Sequence, residues 1–212
     1  MTVPDIRMVG DDALSIEVDD PRHRNVLAEH LRHSGRWTDV VPGRRNLTVG
    51  FDPLAVSPAQ AHAVLAGALE HAPPGTQSAS EEIELALRVD PESGPDLARV
   101  ADENGLSPEA FLRRVCASPL AVDMMGFMPG FAYLSGLDPV LRAERLALPR
   151  QRVAAGSVGA LTGQLGLYAL AGPGGWPIIG RIQEPLFDKV AASPFLLKAG
   201  MKVRLRVLGS SS

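Results

Sequence analysis

The glycines of this chain are concentrated in one stretch, and that stretch limits what the second half can fold into. Of the 21 glycines, 11 fall between residues 126 and 180. Glycine is unfavourable inside helices, and here short apolar segments such as VGALTG, LGLYAL and PIIGRI alternate with glycine and proline turns. Many short strands joined by such turns are typical of a β-sandwich or a β-barrel. We therefore expect one of these two architectures after residue 119.

Residues 1–72 have a different pattern, in which strands and helices alternate. Alternating apolar residues in ALSIEV and NLTVGF predict half-buried strands, and WTDVV predicts a third. Asp20 followed by Pro21 predicts the start of one helix, and Ser57 with Gln60 forms the capping box of a second. The order β-α-β-β-α predicts a ferredoxin-like split βαβ domain.

A segment without apolar periodicity, APPGTQSASEE, separates these two patterns. We take residues 73–82 as a linker between a domain over 1–72 and a second domain over 83–209, and residues 210–212 as a flexible tail. The second domain begins with the strand IELALRV. Two short helices, PDLARVADENG and SPEAFLRRVCAS, precede its glycine-rich part. The predicted fold class is therefore α+β.

Composition excludes several classes of function. The net charge of −3 provides no basic surface for nucleic acid. No apolar run reaches the roughly 18 residues of a membrane helix, and the N-terminus lacks the features of a signal peptide. We therefore expect no membrane association and a cytoplasmic location. A single cysteine, Cys116, rules out an internal disulfide or a multi-cysteine metal site.

The histidines and the serine motif give little support for metal or nucleophilic chemistry. All five histidines precede residue 72, and His30 and His33 have a spacing that could hold a metal. No carboxylate or cysteine pattern accompanies them, so we favour exposed helix histidines and predict no metal. The segment AAGSVG places Ser157 in a pattern like a nucleophile elbow. Since no histidine base follows it, we favour a sharp β-turn.

The glycine-rich part retains polar side chains that could bind a small molecule. Backbone N–H groups exposed by glycines can bind anions, and arginine can grip a carboxylate or phosphate with two parallel hydrogen bonds. The residues with this potential are Tyr133, Arg150, Arg152, Ser157, Gln164, Tyr168, Trp176 and Arg181. The set contains no evident general base, so catalysis would need a partner to complete the site.

Five motifs occur in an order and spacing that resemble one known family. They are GFMPGFAYLSGLD, LPRQRVAAGSVGA, GQLGLY, PGGWPIIGR and SPFLLKAGMKVRL. Together they resemble the allophanate hydrolase subunit 1 family, also called the family of 5-oxoprolinase B subunits, which includes the sporulation kinase inhibitor KipI. The resemblance covers nearly the whole chain. It implies an N-terminal ferredoxin-like domain and a C-terminal cyclophilin-like β-barrel.

The resemblance also implies a subunit of a heteromeric, ATP-dependent amidohydrolase with a carboxyltransferase-type domain. The complex would be a 5-oxoprolinase, which converts 5-oxo-L-proline to L-glutamate, or an allophanate hydrolase. Its site would be shared with subunit 2, and a third, lactam-opening subunit is a further candidate partner. ATP would act at the level of the complex, and the isolated chain is expected to be inactive. The alternative is a non-catalytic regulator that binds and inhibits a histidine kinase.

Two groups of residues are candidates for these roles. We expect the substrate to contact six residues, and we name no catalytic residue. The six are Arg152, Ser157, Gln164, Tyr168, Trp176 and Arg181. The segment MMGFMPGFAYLSGL has more large apolar groups than a glycine-broken loop can bury alone, and such groups are enriched at interfaces. The predicted partner interface or pocket is Phe127, Met128, Pro129, Phe131 and Tyr133; alternatively, the aromatics fill the barrel.

Overall fold

The computed structural model describes residues 5–73 and 81–209. The chain divides into two compact units, Met1–Ala79 and Ser80–Ser212. Most of the predicted linker and the whole predicted tail lie outside the described residues.

The first unit is a four-stranded antiparallel sheet with two helices. Its elements in chain order are β1 (Ile6–Val9), β2 (Ala13–Glu17), α1 (Pro21–His33), β3 (Asp39–Pro42), β4 (Asn46–Gly50) and α2 (Pro58–Glu70). The strand order is β1-β2-β4-β3, and every neighbouring pair is antiparallel. Strands β2 and β3 therefore run parallel to each other, joined by α1, with β4 between them.

The predicted order β-α-β-β-α is wrong by one strand, because β1 precedes the first predicted element. Three of the four residues of β1 are exposed and only Ile6 is half-buried. An edge strand of this kind lacks the alternation of apolar and polar residues that identifies a strand in sequence. The predicted third strand, WTDVV, also begins too early, since β3 covers Asp39–Pro42.

Both helices of this unit begin where the sequence predicts. The Asp20 side chain accepts hydrogen bonds from the backbone of Arg22 and His23, and Ser57 with Gln60 forms the predicted reciprocal capping box. These caps satisfy backbone N–H groups that would otherwise lack partners in the first turn. No helix within residues 5–73 and 81–209 has both the length and the apolar composition required to cross a membrane.

The second unit is built around a closed seven-stranded barrel. Its elements are β5 (Glu82–Arg88), α3 (Leu97–Glu103), α4 (Pro108–Ala117), β6 (Ala121–Met125), β7 (Ala132–Ser135), β8 (Arg150–Val153), β9 (Ser157–Leu161), β10 (Gln164–Leu167), β11 (Gly172–Gly174), β12 (Ile178–Ile182) and β13 (Lys202–Val207). The barrel order is β10-β7-β6-β13-β5-β12-β9, and β9 pairs with β10 to close it. Strands β8 and β11 form a separate two-stranded sheet. Of the two expected architectures, the barrel is confirmed.

The first and last strands of this unit lie side by side and complete the barrel. Strands β5 and β13 are paired in parallel over six residues. Val203 and Leu205 of β13 are buried in the core, whereas Arg204 and Arg206 are exposed. Arg206 pairs with Glu84 on β5, with Nε 2.6 Å from Oε1. The alternation of MKVRLRVL therefore separates a core side from a charged side.

The barrel interior is a continuous aliphatic core. Strands β7, β9 and β10 each contribute every second residue to it, and α3 and α4 pack against the same cluster. The strand residues concerned are Ala132, Leu134, Val158, Ala160, Leu165 and Leu167. The residues between them face the opposite side of the sheet, since successive side chains alternate.

Candidate functional site

The residues of β7, β9 and β10 that face away from the core form a surface covered by aromatic rings. In β10, Gly166 lies between the core residues Leu165 and Leu167, opposite Tyr133 of β7 and Gly159 of β9. We call this surface the outer aromatic face. It consists of Phe131, Tyr133, Tyr168 and Trp176 over Gly159 and Gly166.

Phe131 lies at the centre of the outer aromatic face. Its ring centroid is 4.7 Å from that of Tyr133, 4.9 Å from that of Tyr168 and 6.3 Å from that of Trp176. The contacts with Tyr168 and Trp176 are edge-to-face, the arrangement that aromatic quadrupoles favour. The rings therefore form one packed layer on the outside of the barrel, and the alternative that the aromatics fill its interior is wrong for Phe131 and Tyr133.

Glycine is required beneath this layer because any side chain would occupy the space of the rings. A Cβ atom on Gly166 would lie 2.7 Å from Cζ of Phe131 and 2.8 Å from Cζ3 of Trp176. A Cβ on Gly159 would lie 2.9 Å from Cβ of Trp176. Such distances are too short for carbon atoms. These two glycines therefore let the rings lie directly on the strands, where a strand normally presents side chains of its own.

Two of the six predicted substrate-binding residues belong to this face. Tyr168 and Trp176 are only 2% and 4% exposed. Burial raises the pKa of the Tyr168 phenol above its usual range. Burial likewise raises the pKa of Tyr133, which is half-buried. Both phenols are therefore neutral hydrogen-bonding groups near pH 7 and are not bases.

Of the other four predicted residues, Ser157 and Gln164 lie on β9 and β10 themselves, and Arg152 and Arg181 lie on the neighbouring strands β8 and β12. Ser157 begins β9 and is buried, with Arg181 of β12 directly opposite it. Nε of Arg181 is buried without a hydrogen-bond partner among the described residues. Gln164 begins β10 and is half-buried, and Arg152 is exposed on β8. The structure thus brings Ser157 and Arg181 together, and it leaves Arg152 on the surface.

Ser157 follows a sharp turn, as the segment AAGSVG predicts. Gly156 has a φ of 81°, which favours glycine. The Gly156 backbone N–H donates to the carbonyl of Tyr168 at 2.7 Å, and the Tyr168 N–H donates to the carbonyl of Ser157 at 2.9 Å. The turn therefore fixes the backbone of Tyr168.

The predicted interface residues divide between two places. Phe131 and Tyr133 belong to the outer aromatic face, whereas Phe127, Met128 and Pro129 lie at the tip of the hairpin between β6 and β7. Phe127 is 62% exposed and has a φ of 70°, which is uncommon for a bulky residue. The Met128 N–H donates to the carbonyl of Gly126 at 2.9 Å and holds this tight turn.

An apolar groove lies beside this hairpin tip. Its volume is about 380 Å³, and the residues that line it include Met125, Met128, Phe195 and Leu197. Lys198 supplies a charge at the groove. Methionine-rich grooves of this kind adapt to different apolar partners.

Sequence reasoning missed a buried ion pair that connects the two sheets of the second unit. Asp96 is 6% exposed, and its carboxylate accepts a hydrogen bond from Nη2 of Arg150 at 2.9 Å. The same carboxylate accepts the backbone N–H of Ile178 at 2.7 Å. Asp96 thereby holds β8 against β12. The sequence gives no signal for this pair, because 54 residues separate the two side chains.

Arg145 is a second residue that the sequence did not single out. Its guanidinium carbon lies 5.9 Å from the centroid of the Trp176 ring, within the range of a cation–π interaction. Its charge also opposes the rise in the pKa values of Tyr133 and Tyr168. Arg145 lies between β7 and β8 in a segment without regular periodicity, so pattern analysis could not place it on this face.

The chemistry that these residues can perform is binding and orientation. The face offers a guanidinium, two neutral phenols and an indole, which suit a small, flat, anionic molecule. Within residues 5–73 and 81–209, no group of three or more His, Cys, Asp or Glu side chains could hold a metal ion. No residue of the face is a general base at neutral pH.

Comparison with known proteins identifies relatives over nearly the whole chain. The family model described as "Carboxyltransferase domain, subdomain C and D" matches residues 4–197. The chain is 34% identical over 203 residues to the 5-oxoprolinase B subunit of Escherichia coli O157:H7, and the match covers 93% of each chain. It is 36% identical over 189 residues to the protein of the same name from Haemophilus influenzae, covering 86% of this chain and 85% of that one.

Solved structures share the fold and in some cases are longer. The structure of TTHA0988 superposes with a TM-score of 0.80 at 29% identity, over 93% of this chain. This chain spans only 40% of the TTHA0988 chain. The urea carboxylase of Kluyveromyces lactis matches with a TM-score of 0.74 at 16% identity, over 96% of this chain and 22% of that enzyme. At 16% identity, the likeness to the urea carboxylase shows a shared fold alone.

Proposed function

The chain belongs to the family of carboxyltransferase domains, subdomains C and D, which includes the 5-oxoprolinase B subunits, and we propose that it is the B subunit of a 5-oxoprolinase. The family resemblance of the five sequence motifs is thereby confirmed. In the proposed reaction the complex opens 5-oxo-L-proline to L-glutamate with hydrolysis of ATP. The observation that carries the proposal is the 34% identity to a named B subunit over 93% of both chains.

The fold supports a finer assignment of the two units. We assign the first unit to the ferredoxin-like class, because β2, α1 and β3 form a split βαβ with β4 between the strands. Its remaining edge strand, β1, comes from the N-terminal side of the motif. We assign the seven-stranded barrel of the second unit to the cyclophilin-like class that the family resemblance implies.

The proposed substrate site is the outer aromatic face. The five-membered ring of 5-oxoproline is small and flat enough to lie against the half-buried phenol of Tyr133, which provides apolar contact and a neutral hydrogen-bond donor. The six predicted binding residues, led by Tyr168 and Trp176, stay predictions for this role. Both phenols are neutral near pH 7, so they are not the base that activates water, and we propose that another subunit supplies it.

The proposed partner contact is the hairpin tip with its groove. Phe127, Met128 and Pro129 present apolar surface there, and exposed apolar groups of this kind mark interaction sites in proteins. The partner is the second subunit of the complex, and a third subunit would supply lactam opening. The cytoplasmic location of this complex stays a prediction.

The glycines near the site do not fit an ATP phosphate loop. A Cβ atom on Gly156, Gly159 or Gly166 would lie within 3 Å of protein atoms, so these glycines are packed against the protein. A phosphate loop instead exposes its backbone N–H groups to the ligand. We therefore place ATP in the complex and not on these glycines.

The test is co-purification of the chain with its candidate partner subunits, followed by measurement of ADP release with and without 5-oxo-L-proline. The proposal predicts a stable complex whose ATP hydrolysis increases with 5-oxo-L-proline. A stable complex that responds only to a urea-derived amide would replace the substrate with that of an allophanate hydrolase. If the chain forms no complex and inhibits the autophosphorylation of a histidine kinase, the regulator is correct and the proposed enzyme is wrong.

A further inference from the structure

We propose that Arg145, together with the hydroxyl groups of Tyr133 and Tyr168, binds the carboxylate of the substrate on the outer aromatic face. This inference rests on the proposed function for the identity of the substrate. It deepens that function by naming the residues that select an acid over a neutral lactam. From the sequence, Tyr168 is expected only to contact the substrate and Tyr133 only to be able to bind a small molecule, and Arg145 is not a candidate.

The guanidinium of Arg145 is available for an anionic ligand. Arg145 is exposed and forms no ion pair or hydrogen bond with any residue of the described chain through its side chain. Arg150, five residues later, is instead engaged by Asp96 at 2.9 Å. The one aromatic contact of Arg145 in the described chain is with Trp176, at 5.9 Å. That contact leaves the in-plane N–H groups free for a carboxylate, which they match in geometry.

The backbone around Arg145 is fixed on both sides, so its side chain starts from a defined position. On the C-terminal side, the Leu146 N–H donates to the carbonyl of Gly175 at 2.8 Å. On the N-terminal side, Ala143 and Thr162 exchange hydrogen bonds: the Thr162 N–H donates to the Ala143 carbonyl at 3.0 Å, and the Ala143 N–H donates to Oγ1 of Thr162 at 3.1 Å. An irregular segment held in this way positions Arg145 without regular secondary structure.

The two phenols supply neutral donors close enough to the Arg145 guanidinium for its charge to lower their pKa values against the larger rise caused by burial. The hydroxyls of Tyr168 and Tyr133 make no hydrogen bond with a described residue, and neither oxygen is among the fully buried, unpaired polar atoms of the described chain, so both are accessible to a ligand. Both groups stay protonated near pH 7 since burial raises their pKa values. A carboxylate supplies the acceptor oxygens that these donors lack.

The ligand class follows from the donors and the rings together. A guanidinium and two phenols select a carboxylate, and the half-buried ring of Tyr133, whose centroid is 5.9 Å from that of the buried Trp176, provides apolar contact for a small ring. Arg152 and Arg181 make no cation–π contact with the face in the described chain. A small cyclic carboxylic acid therefore fits the face better than a neutral lactam.

The binding test uses tryptophan fluorescence in the full chain. The chain has two tryptophans, so Trp37→Phe leaves Trp176 as the only indole signal. This protein is titrated with 5-oxo-L-proline and with 2-pyrrolidinone, which has the same ring without the carboxylate. We expect saturable quenching by the acid and much weaker binding of the neutral lactam. Arg145→Gln should raise the Kd for the acid by about 10- to 100-fold, the effect of one lost charged hydrogen bond.

Arg142→Gln is the matched control. Arg142 is exposed three residues earlier, and it contacts Asn104 through its backbone. Arg142→Gln should leave the Kd for 5-oxo-L-proline unchanged, and thermal unfolding should confirm that both variants are folded. Equal Kd values for Arg145→Gln and the parent overturn the proposal. So does the absence of acid-dependent quenching in both the chain and the co-purified complex.

Turnover by the complex is measured separately, so the two proposals can fail independently. If the acid binds in an Arg145-dependent manner but is not hydrolysed, the carboxylate site stands and the 5-oxoprolinase function falls. If the complex hydrolyses 5-oxo-L-proline and Arg145→Gln leaves KM unchanged, the function stands and the carboxylate site is wrong.

Discussion

The two faces of strands β7, β9 and β10 are packed in different ways. Toward the core, β10 presents Leu165 and Leu167, which are completely buried among other aliphatic side chains. Toward the outside, the same strand presents Gly166, and rings from Phe131 and Trp176 occupy the space above it. The inner face is thus packed by the side chains of the strands. Apart from Tyr133 of β7, the outer face is packed by rings from segments outside these strands, namely Phe131, Tyr168 and Trp176.

This difference separates stability from recognition. Aliphatic residues on the inner face need only fill volume, and the barrel depends on them for most of its hydrophobic free energy. On the outer face, the absence of side chains on Gly159 and Gly166 creates room for rings that also carry polar groups. The outer layer therefore places a guanidinium and two phenols on a rigid support, which a binding site requires.

The largest expected effect comes from the inner face. Leu165→Ala should lower the free energy of unfolding by about 2 to 5 kcal/mol, because it removes a buried side chain and leaves a cavity. The measurement is urea unfolding followed by circular dichroism. A loss below about 1 kcal/mol would show that the barrel interior is not the close-packed core described here.

Asp96→Ala should have the next largest effect on the free energy of unfolding, because it removes the contacts that hold β8 against β12 of the barrel. It removes the ion pair with Arg150 and the hydrogen bond from Ile178. Since Arg150 is about one-third exposed, we expect a loss of about 2 to 3 kcal/mol. Arg113→Ala, at an exposed arginine for which the described chain provides no ion pair, is the control and should change stability by less than about 0.5 kcal/mol.

Gly166→Ala tests the outer face directly. The new methyl group would overlap Phe131 and Trp176, and overpacking of this kind costs about 1 to 3 kcal/mol. Gly67→Ala in α2 is the matched control, because no atom lies within 4 Å of its Cβ position. Gly67→Ala should raise the free energy of unfolding by about 0.5 to 1 kcal/mol. Similar effects at both positions would contradict the role of Gly166.

Tyr168→Phe should have the smallest effect at neutral pH and a distinct pH dependence. The hydroxyl has no partner in the described chain, so its removal should change the unfolding free energy at pH 7 by less than about 1 kcal/mol. The folded pKa of Tyr168 is raised above its unfolded value near 10. Its stabilising contribution is therefore complete below that pH and is lost as pH rises beyond it.

Unfolding measured from about pH 8 to 11 checks this prediction. The parent should lose stability above about pH 10 more steeply than Tyr168→Phe does. Parallel pH profiles for the two proteins would mean that the Tyr168 phenol ionises as readily in the folded chain as in the unfolded one.

Local chemistry accounts for the parts of the fold that the sequence predicts. Side-chain caps at Asp20 and Ser57 act within one helical turn, so their signals are contained in a few residues. The glycine turns and the alternation of β13 likewise predict a closed or layered sheet. Strand β1 escaped prediction because its exposed edge position gives it no apolar alternation.

The candidate site was only partly predictable, because its geometry depends on distant segments. Tyr168 and Trp176 were recognised as polar aromatics in a glycine-rich region, but their position outside the barrel could not be read from local pattern. Arg145 reaches the face because hydrogen bonds of Ala143 with Thr162 and of the Leu146 N–H to the Gly175 carbonyl fix its segment. A local sequence pattern does not contain such long-range contacts, and the two arginines that it indicates, Arg152 and Arg181, both lie in recognisable motifs.

The most direct test of the central claim is the formation of L-glutamate from 5-oxo-L-proline and ATP by the purified partner subunits, with and without this chain. The account predicts glutamate at one equivalent per ADP when the chain is present, and none when it is left out. Glutamate formation at the same rate without the chain, or no glutamate from an intact complex that contains it, would contradict the account.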